Sequence, residues 1–303
     1  MNKITLVTRS DDWTVFHHAK FEFLFRQYFD CVEYDENTIY DKNRTLFVTH
    51  VIREKSWARQ LHNQGYKVVV DNLVELPAPT DYYRIYTPNW FWYNQCLTNR
   101  ADQFNSYVPN KTYTKKAFMP MRLIRPHRDA LISHLQKHLD DMIYSYVQKG
   151  IYLPNDVPHD LNTVSSFQKN FNPEWYDQTY FSVVAETFTN TTPTVFVTEK
   201  TFKPIGFFHP FLVFGQTGTL RFLRELGFET FGNLFDESYD SIENYTERLK
   251  ALVESFDNFN YVEYDKLTWD KLRHNHNLLN NTELVIDHII NEVINPLIEY
   301  AET

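Results

Sequence analysis

Short apolar runs rich in β-branched residues alternate with stretches in which apolar positions recur every three or four residues, and this rhythm organises the first hundred residues. Ile4 to Thr8 predicts a strand. Thr14 to Phe29 places Val15, Phe16, Ala19 and Phe23 at helical spacing. Thr45 to His50 predicts a second strand, 53–63 a second helix closed by Gly65, and Lys67 to Val70 a third strand ending at Asp71. Strands separated by helices imply a parallel sheet, so the loops after Thr8, His50 and Val70 fall on one rim, where open α/β sheets bind ligands.

From Asp81 to Pro109 the periodicity gives way to aromatic and polar residues, among them Trp90, Trp92 and Tyr93. These rings serve either as a packed junction or as a wall on which a sugar or base stacks. Asn105 to Lys116 lacks apolar periodicity and marks a boundary, giving domains at 1–110 and 111–303. The α/β rhythm then restarts. It runs through Ala117 to Leu123, a helix from His127 to His138, and strands at Met142 to Tyr146 and Tyr180 to Ala185. Next come a helix from Thr198 through Phe207, a strand from Pro210 to Gly215, a short helix from Gly218 to Leu226, and a long helix from Ser241 to Phe256, with Asp240 or Ser241 as its cap. Leu278 to Ala301 is helical by spacing, long enough to cross back to the first domain. The fold class is α/β with two nucleotide-binding-like halves.

Length and composition narrow the classes. The 303 residues are 43% hydrophobic and 17% aromatic, enough for two cores, and only 7 Gly and 13 Pro exclude collagen-like or linker-dominated chains. A net charge of −9 has the wrong sign for a protein that coats nucleic acid, although a local basic groove is compatible with it. Cys31 and Cys96 are too few for a disulfide framework and predict two reduced thiols. The amino terminus lacks a signal-peptide core and no run reaches the length of a membrane span, so the expectation is a cytoplasmic protein without membrane partners.

The densest chemical signal is Val197-Thr198-Glu199-Lys200-Thr201-Phe202-Lys203-Pro204. Thr198 is a good helix cap, and a helix start offers backbone N–H groups and a positive dipole end to a diphosphate. Lys200 adds charge and Glu199 can accept from ribose hydroxyls. A capped helix with a first-turn acid is the purely structural alternative. A second basic stretch, Arg122-Leu123-Ile124-Arg125-Pro126-His127-Arg128, precedes a predicted helix; a solvated loop is its alternative. Asp236 and Glu237 are further ribose candidates. His274 and His276 form an HxH pair with no third ligand nearby in sequence, and the paired acids Asp11-Asp12, Asp140-Asp141 and Asp236-Glu237 do not make a DxD metal site.

These two stretches, with His209-Pro210-Phe211 through Gly215, resemble a group of bacteriophage-encoded glycosyltransferase-like proteins, themselves distantly similar to α-1,3-fucosyltransferases in the donor-binding half. The likeness spans roughly Phe118 to Asp240. It implies a GT-B architecture, two Rossmann-like domains facing a cleft, and an inverting, metal-independent transfer from a nucleoside-diphosphate sugar, with no other cofactor. Carried onto this chain, it implies that Thr198, Glu199 and Lys200 hold the donor and that an arginine binds the diphosphate, Arg128 ahead of Arg122 and Arg125. The asparagine-rich block that family has before the Thr-Glu-Lys run is not matched, because Glu186 and Asn190 stand there.

An inverting transfer needs a base on the rim of the first domain. Asp71 is the first candidate because it directly ends a strand, Asp11 the second; Asp12, Glu75, His18 and His50 are the other titratable groups there. A phage context makes a hydroxymethylated DNA base one acceptor to consider, flipped onto Trp90, Trp92 and Tyr93. The alternative function is a non-catalytic nucleotide- or sugar-binding phage protein.

Overall fold

Parallel strands buried on both faces read as continuous apolar runs, and in the computed structural model they assemble into two parallel sheets. The structure describes residues 3–9, 19–50, 56–72, 82–87, 89–97, 104–153, 172–190 and 194–303. The chain divides into two compact units, Met1–Thr98 together with Asn281–Thr303, and Asn99–Asn280.

The first unit holds five strands in the order β2-β1-β3-β4-β5: β1 (Ile4–Thr8), β2 (Phe29–Glu33), β3 (Thr45–His50), β4 (Lys67–Asn72) and β5 (Tyr83–Tyr86). All pair in parallel. Helices α1 (Ala19–Tyr28), α2 (Ser56–Asn63) and α3 (Trp90–Leu97) belong to this unit. Its core joins Val7, Phe47, Val68 and Val70 of the sheet to Ala58 and Leu61 of α2. Two strands differ from the sequence expectation. The predicted first helix stops at Tyr28 and the chain turns directly into β2, whose mostly exposed residues carry no strand alternation. β5 and α3 lie where only an aromatic connector was expected, because Tyr and Trp suit either element and impose no period.

The second unit begins with β6 (Lys115–Met121), α4 (Pro126–Leu135) and β7 (Met142–Tyr146). It continues through α5 (Glu174–Asp177), β8 (Thr179–Ala185), α6 (Glu199–Gly206) and β9 (Phe211–Phe214), and then α7 (Thr219–Glu225). Its strand order is β7-β6-β8-β9, again all parallel. The chain leaves β6 toward β7 on one side and returns to β8 on the other, so the connections diverge between β6 and β8. That is a topological switch point, where a crevice opens beyond the carboxyl ends of the strands.

Helices α8 (Tyr245–Asp257) and α9 (Lys266–Leu279) complete this unit, and α10 (Thr282–Ile289) and α11 (Asn295–Glu302) return to the first. Within the first unit, Lys67 Nζ donates to the Ala301 carbonyl at 2.7 Å and Tyr83 stacks on Tyr300 at 4.2 Å. The helix expected from Ser241 begins instead at Tyr245, capped by Asn244, whose side chain accepts from the N–H groups of Thr246 and Glu247. Asp240 caps a different helix: its carboxylate accepts from Leu220 and Arg221 N–H at the start of α7. Among the described residues no helix is long and apolar enough to cross a membrane. Among the described residues neither Cys31 nor Cys96 forms a disulfide.

Candidate functional site

The ladder between β6 and β8 runs from Lys115↔Thr179 to Phe118↔Ser182, whereas β6 stays paired to β7 through Met121↔Tyr146. Pro120 has no N–H to extend a ladder. Beyond Phe118 a cavity of about 210 Å³ opens at the carboxyl edge, bounded by the loop after β6, the loop after β8 and the start of α6. Arg122, Arg125, Arg128, Lys200 and Lys203 line it, with Glu199 as the one acidic lining residue.

The amino end of α6 is organised by a residue to which the sequence reading gave no role. Glu186, directly after β8, is fully buried and meets no cation at salt-bridge distance among the described residues. Four donors replace its water shell. Oε1 accepts from Thr198 N–H at 3.0 Å and Thr201 O–H at 2.7 Å, and Oε2 from Thr198 O–H at 2.6 Å and Thr187 N–H at 3.1 Å. Because Thr198 Oγ1 spends its proton on Glu186, its lone pairs face Lys200, whose Nζ donates to it at 2.9 Å. The same ammonium donates to Thr187 Oγ1 at 3.3 Å and to Glu199 Oε1 at 3.1 Å. Glu186 therefore positions Lys200 through Thr198. An acid closing an apolar strand ahead of a Thr-x-x-Thr helix start was the available signal.

This arrangement also corrects the expectation of free N–H groups at the helix start. Thr198 N–H goes to Glu186, and Lys200 N–H reaches Thr198 Oγ1 at 3.4 Å. What α6 offers an anion is its dipole and its side chains. Burial alone would raise the Glu199 carboxyl, but Lys200 and Lys203 and a hydrogen bond from Lys200 outweigh it and hold the group at about 2. Glu199 is thus an acceptor at any physiological pH.

Arg128, 4% exposed, stitches the two sides of the crevice. Its Nη1 donates to the Leu123 carbonyl at 3.0 Å and its Nη2 to the Ala185 carbonyl at 3.4 Å, while Nε has no partner among the described residues. Burial lowers its pKa from the ordinary arginine value, opposed by the nearby Glu186 charge. Arg125, at the start of α4, is exposed and its guanidinium makes no hydrogen bond among the described residues. Glu199, Lys200 and the three arginines, far apart in sequence, thus surround one crevice, whereas Thr198, expected to hold the donor, is 1% exposed and does not line it because its hydroxyl is committed to Glu186.

The other candidates stand differently. Trp90, Trp92 and Tyr93 are 3%, 0% and 1% exposed, Trp92 packs near His288, and Tyr93 O–H donates to Glu292 at 2.6 Å. These rings are core, with no face left for a stacked base. Asp71 is also fully buried and accepts from Thr87 O–H at 3.1 Å, so in this conformation its carboxylate is closed to an acceptor. Asp11, Asp12, His18 and Glu75 lie outside the described residues. Glu237 binds Phe231 N–H, Thr230 and Arg224, and Asp236 caps Ser238 N–H, both local structural uses. His274 and His276 each bond a backbone carbonyl, Gly227 and Gly206 respectively.

No protein-family model matches the chain, and no curated protein matches it in sequence. Among solved structures, an α1,3-fucosyltransferase is similar at 12% identity with a TM-score of 0.49, covering 96% of this chain and 91% of that one. Structures of α1,3-fucosyltransferase with GDP and with GDP-fucose match at 12% identity with TM-scores of 0.42 and 0.40, covering 94% and 92% of this chain and 91% of each of those. Likenesses at this level fix neither ligand nor reaction.

Proposed function

We propose that the chain is a glycosyltransferase of GT-B type that binds the diphosphate of a nucleoside-diphosphate sugar in the crevice between β6 and β8. The observation that carries this reading is the convergence of five basic side chains and the positive end of α6 on one switch-point cavity. Such a field suits a polyanion and would stabilise the nucleoside diphosphate as it leaves. Lys200 and Arg125 are its direct contacts, Glu199 accepts from ribose hydroxyls, and Arg128 contributes charge from below. The resemblance at the Thr-Glu-Lys run supplies the rest of the reading: inversion at the anomeric carbon, no metal requirement, and a hydroxyl acceptor, for which modified DNA is the first to test.

The test is calorimetric titration of the full chain with UDP, GDP, ADP, CDP and dTDP, together with Lys200→Ala. One nucleotide binds, and the variant weakens it by about 10–100-fold, the scale of one charge-assisted hydrogen bond. Equal affinity in the variant would refute the donor-site assignment. The burial of Asp71 favours a second reading, a nucleotide-binding protein without turnover. Release of nucleoside diphosphate from the matching donor, with an acceptor present, decides against it.

A further inference from the structure

An inverting transfer needs a base, and the buried Asp71 carboxylate is closed to an acceptor. Another titratable group of the first unit has the exposure and the hydrogen bonding that a base requires. It stands on the returning helical stretch, where α10 passes through a π-helical turn, Ile290–Ile294, into α11. That turn packs on β5, and Asn295 N–H closes it by donating to the Ile290 carbonyl, five residues back. Such turns recur at functional sites.

Hydrogen bonds converge here on the Glu292 carboxylate. Asn89 Nδ2 donates to the Tyr93 hydroxyl at 3.4 Å, and that hydroxyl donates to Glu292 Oε2 at 2.6 Å. Burial, reinforced by the bond to Glu292, raises the Tyr93 pKa, so the phenol remains the donor. The other oxygen, Oε1, lies 3.2 Å from His288 Nδ1. A carboxylate only accepts, so the ring proton sits on Nδ1 and the neutral ring keeps its lone pair on Nε2. Nε2 makes no hydrogen bond to any described residue and is not buried, so it is open to solvent. The His288 side chain is 30% exposed, with the Trp92 and Tyr93 rings against it at 5.6 and 6.2 Å between centroids. One ring nitrogen is thus anchored on an acid and the other is bare, the arrangement of a base oriented by a carboxylate.

Two anchors fix the level of this group along the sheet. Tyr300 stacks on Tyr83, the first residue of β5, and the Ala301 carbonyl accepts from Lys67 at the start of β4, so α11 ends at the amino edge. From Tyr300 back to His288 is about 18 Å of helix, whereas β5 from Tyr83 to Tyr86 spans about 10 Å. Because the intervening turn packs on β5, His288 stands beyond the carboxyl end of that strand, on the rim where open α/β sheets bind ligands.

We propose that His288 is the catalytic base of the transfer and that Glu292 and Tyr93 are its positioning residues. The assignment rests on the donor-site reading above. Nε2 takes the proton of the acceptor hydroxyl as that oxygen bonds to the anomeric carbon. The bond from the anomeric carbon to the diphosphate oxygen breaks, and its electron pair leaves with the nucleoside diphosphate. The imidazolium keeps its Nδ1–H on Glu292, whose charge stabilises it, and then gives the added proton to water.

The test follows nucleoside diphosphate release by the full chain from UDP-glucose, GDP-mannose, ADP-glucose, CDP-glucose and dTDP-glucose, with a duplex carrying 5-hydroxymethylcytosine or water alone as acceptor. His288→Gln is expected to lower kcat by about 100- to 10,000-fold, while calorimetric affinity for the matching nucleoside diphosphate and the melting temperature stay at wild-type values. Added imidazole should restore part of the turnover of His288→Ala, which it would not do for a merely structural histidine. Glu292→Gln should lower kcat by about 10–100-fold with KM unchanged, the scale of one charge-assisted hydrogen bond. Unchanged turnover in His288→Gln, with nucleotide binding still dependent on Lys200, overturns the base and leaves the donor reading standing. Nucleotide affinity falling in step with turnover in His288→Gln also overturns it. Wild-type binding of a nucleotide without release from any of these donors overturns the base and favours binding without turnover; no binding at all overturns the donor reading as well.

Discussion

Replacing Glu186 by glutamine keeps its volume and removes its charge, and the four donors around it make the consequence calculable. Each carboxylate oxygen serves one backbone N–H and one threonine hydroxyl. An amide presents an acceptor at only one end, so whichever way it flips, either Thr187 or Thr198 N–H faces an NH2 group. A buried N–H left without an acceptor costs about 1–3 kcal/mol, and the two surviving bonds lose charge assistance at roughly 0.5–1 kcal/mol each. The expected destabilisation is about 2–5 kcal/mol, a melting-temperature loss of roughly 5–15 °C for a unit of this size. In the flip that puts the amide nitrogen at the Oε2 position, Thr198 also loses the acceptor that orients it toward Lys200, and nucleotide affinity should then fall in the protein that remains folded. Differential scanning calorimetry and titration at a temperature below the shifted transition measure both. A melting temperature within 2 °C of wild type together with unchanged affinity would refute the positioning role.

Three further predictions rest on separate observations. A Cβ at Gly206 would lie 2.4 Å from the ring of Phe104, itself fully buried, so Gly206→Ala should cost about 1–3 kcal/mol in denaturant unfolding, and adding Phe104→Leu should recover part of it. Glu199 is held at about 2 against an ordinary value of 4.5, so its contribution to stability is fully present above pH 4.5 and disappears as the pH falls toward 2. Glu199→Gln should flatten the stability curve in that window. Lys111, buried beside Asp177, is pushed down to about 7 by burial. Between pH 7 and 10.5 the unfolded chain binds the extra proton, so stability rises with pH there, and Lys111→Met should remove that rise in urea titrations.

Much of the secondary structure was legible because its signals are local. Val68 to Val70 and Phe211 to Phe214 read as strands since a parallel strand buried on both faces must be apolar throughout, and Thr198 read as a cap since its hydroxyl serves an N–H two residues away. Elements whose residues suit several conformations were not legible. Examples are β2, largely exposed, and the aromatic β5 and α3.

The site divides along the same line. Lys200 and the arginines could be named from their own stretches, but their meeting depends on β6 lying beside β8, a non-local pairing that no local pattern specifies. Glu186 holding α6, Asp240 capping α7, and Ser182 hydrogen-bonded to a histidine 27 residues later are partnerships between segments that only packing brings into contact. Whether the aromatic residues at 90–93 form a wall or a core was also a tertiary decision, because hydrophobicity says that a ring will be buried but not what buries it. Periodicity and caps are written within a few residues of the chain. Which strands become neighbours, and so which polar groups must satisfy one another, is settled only when the sheets assemble.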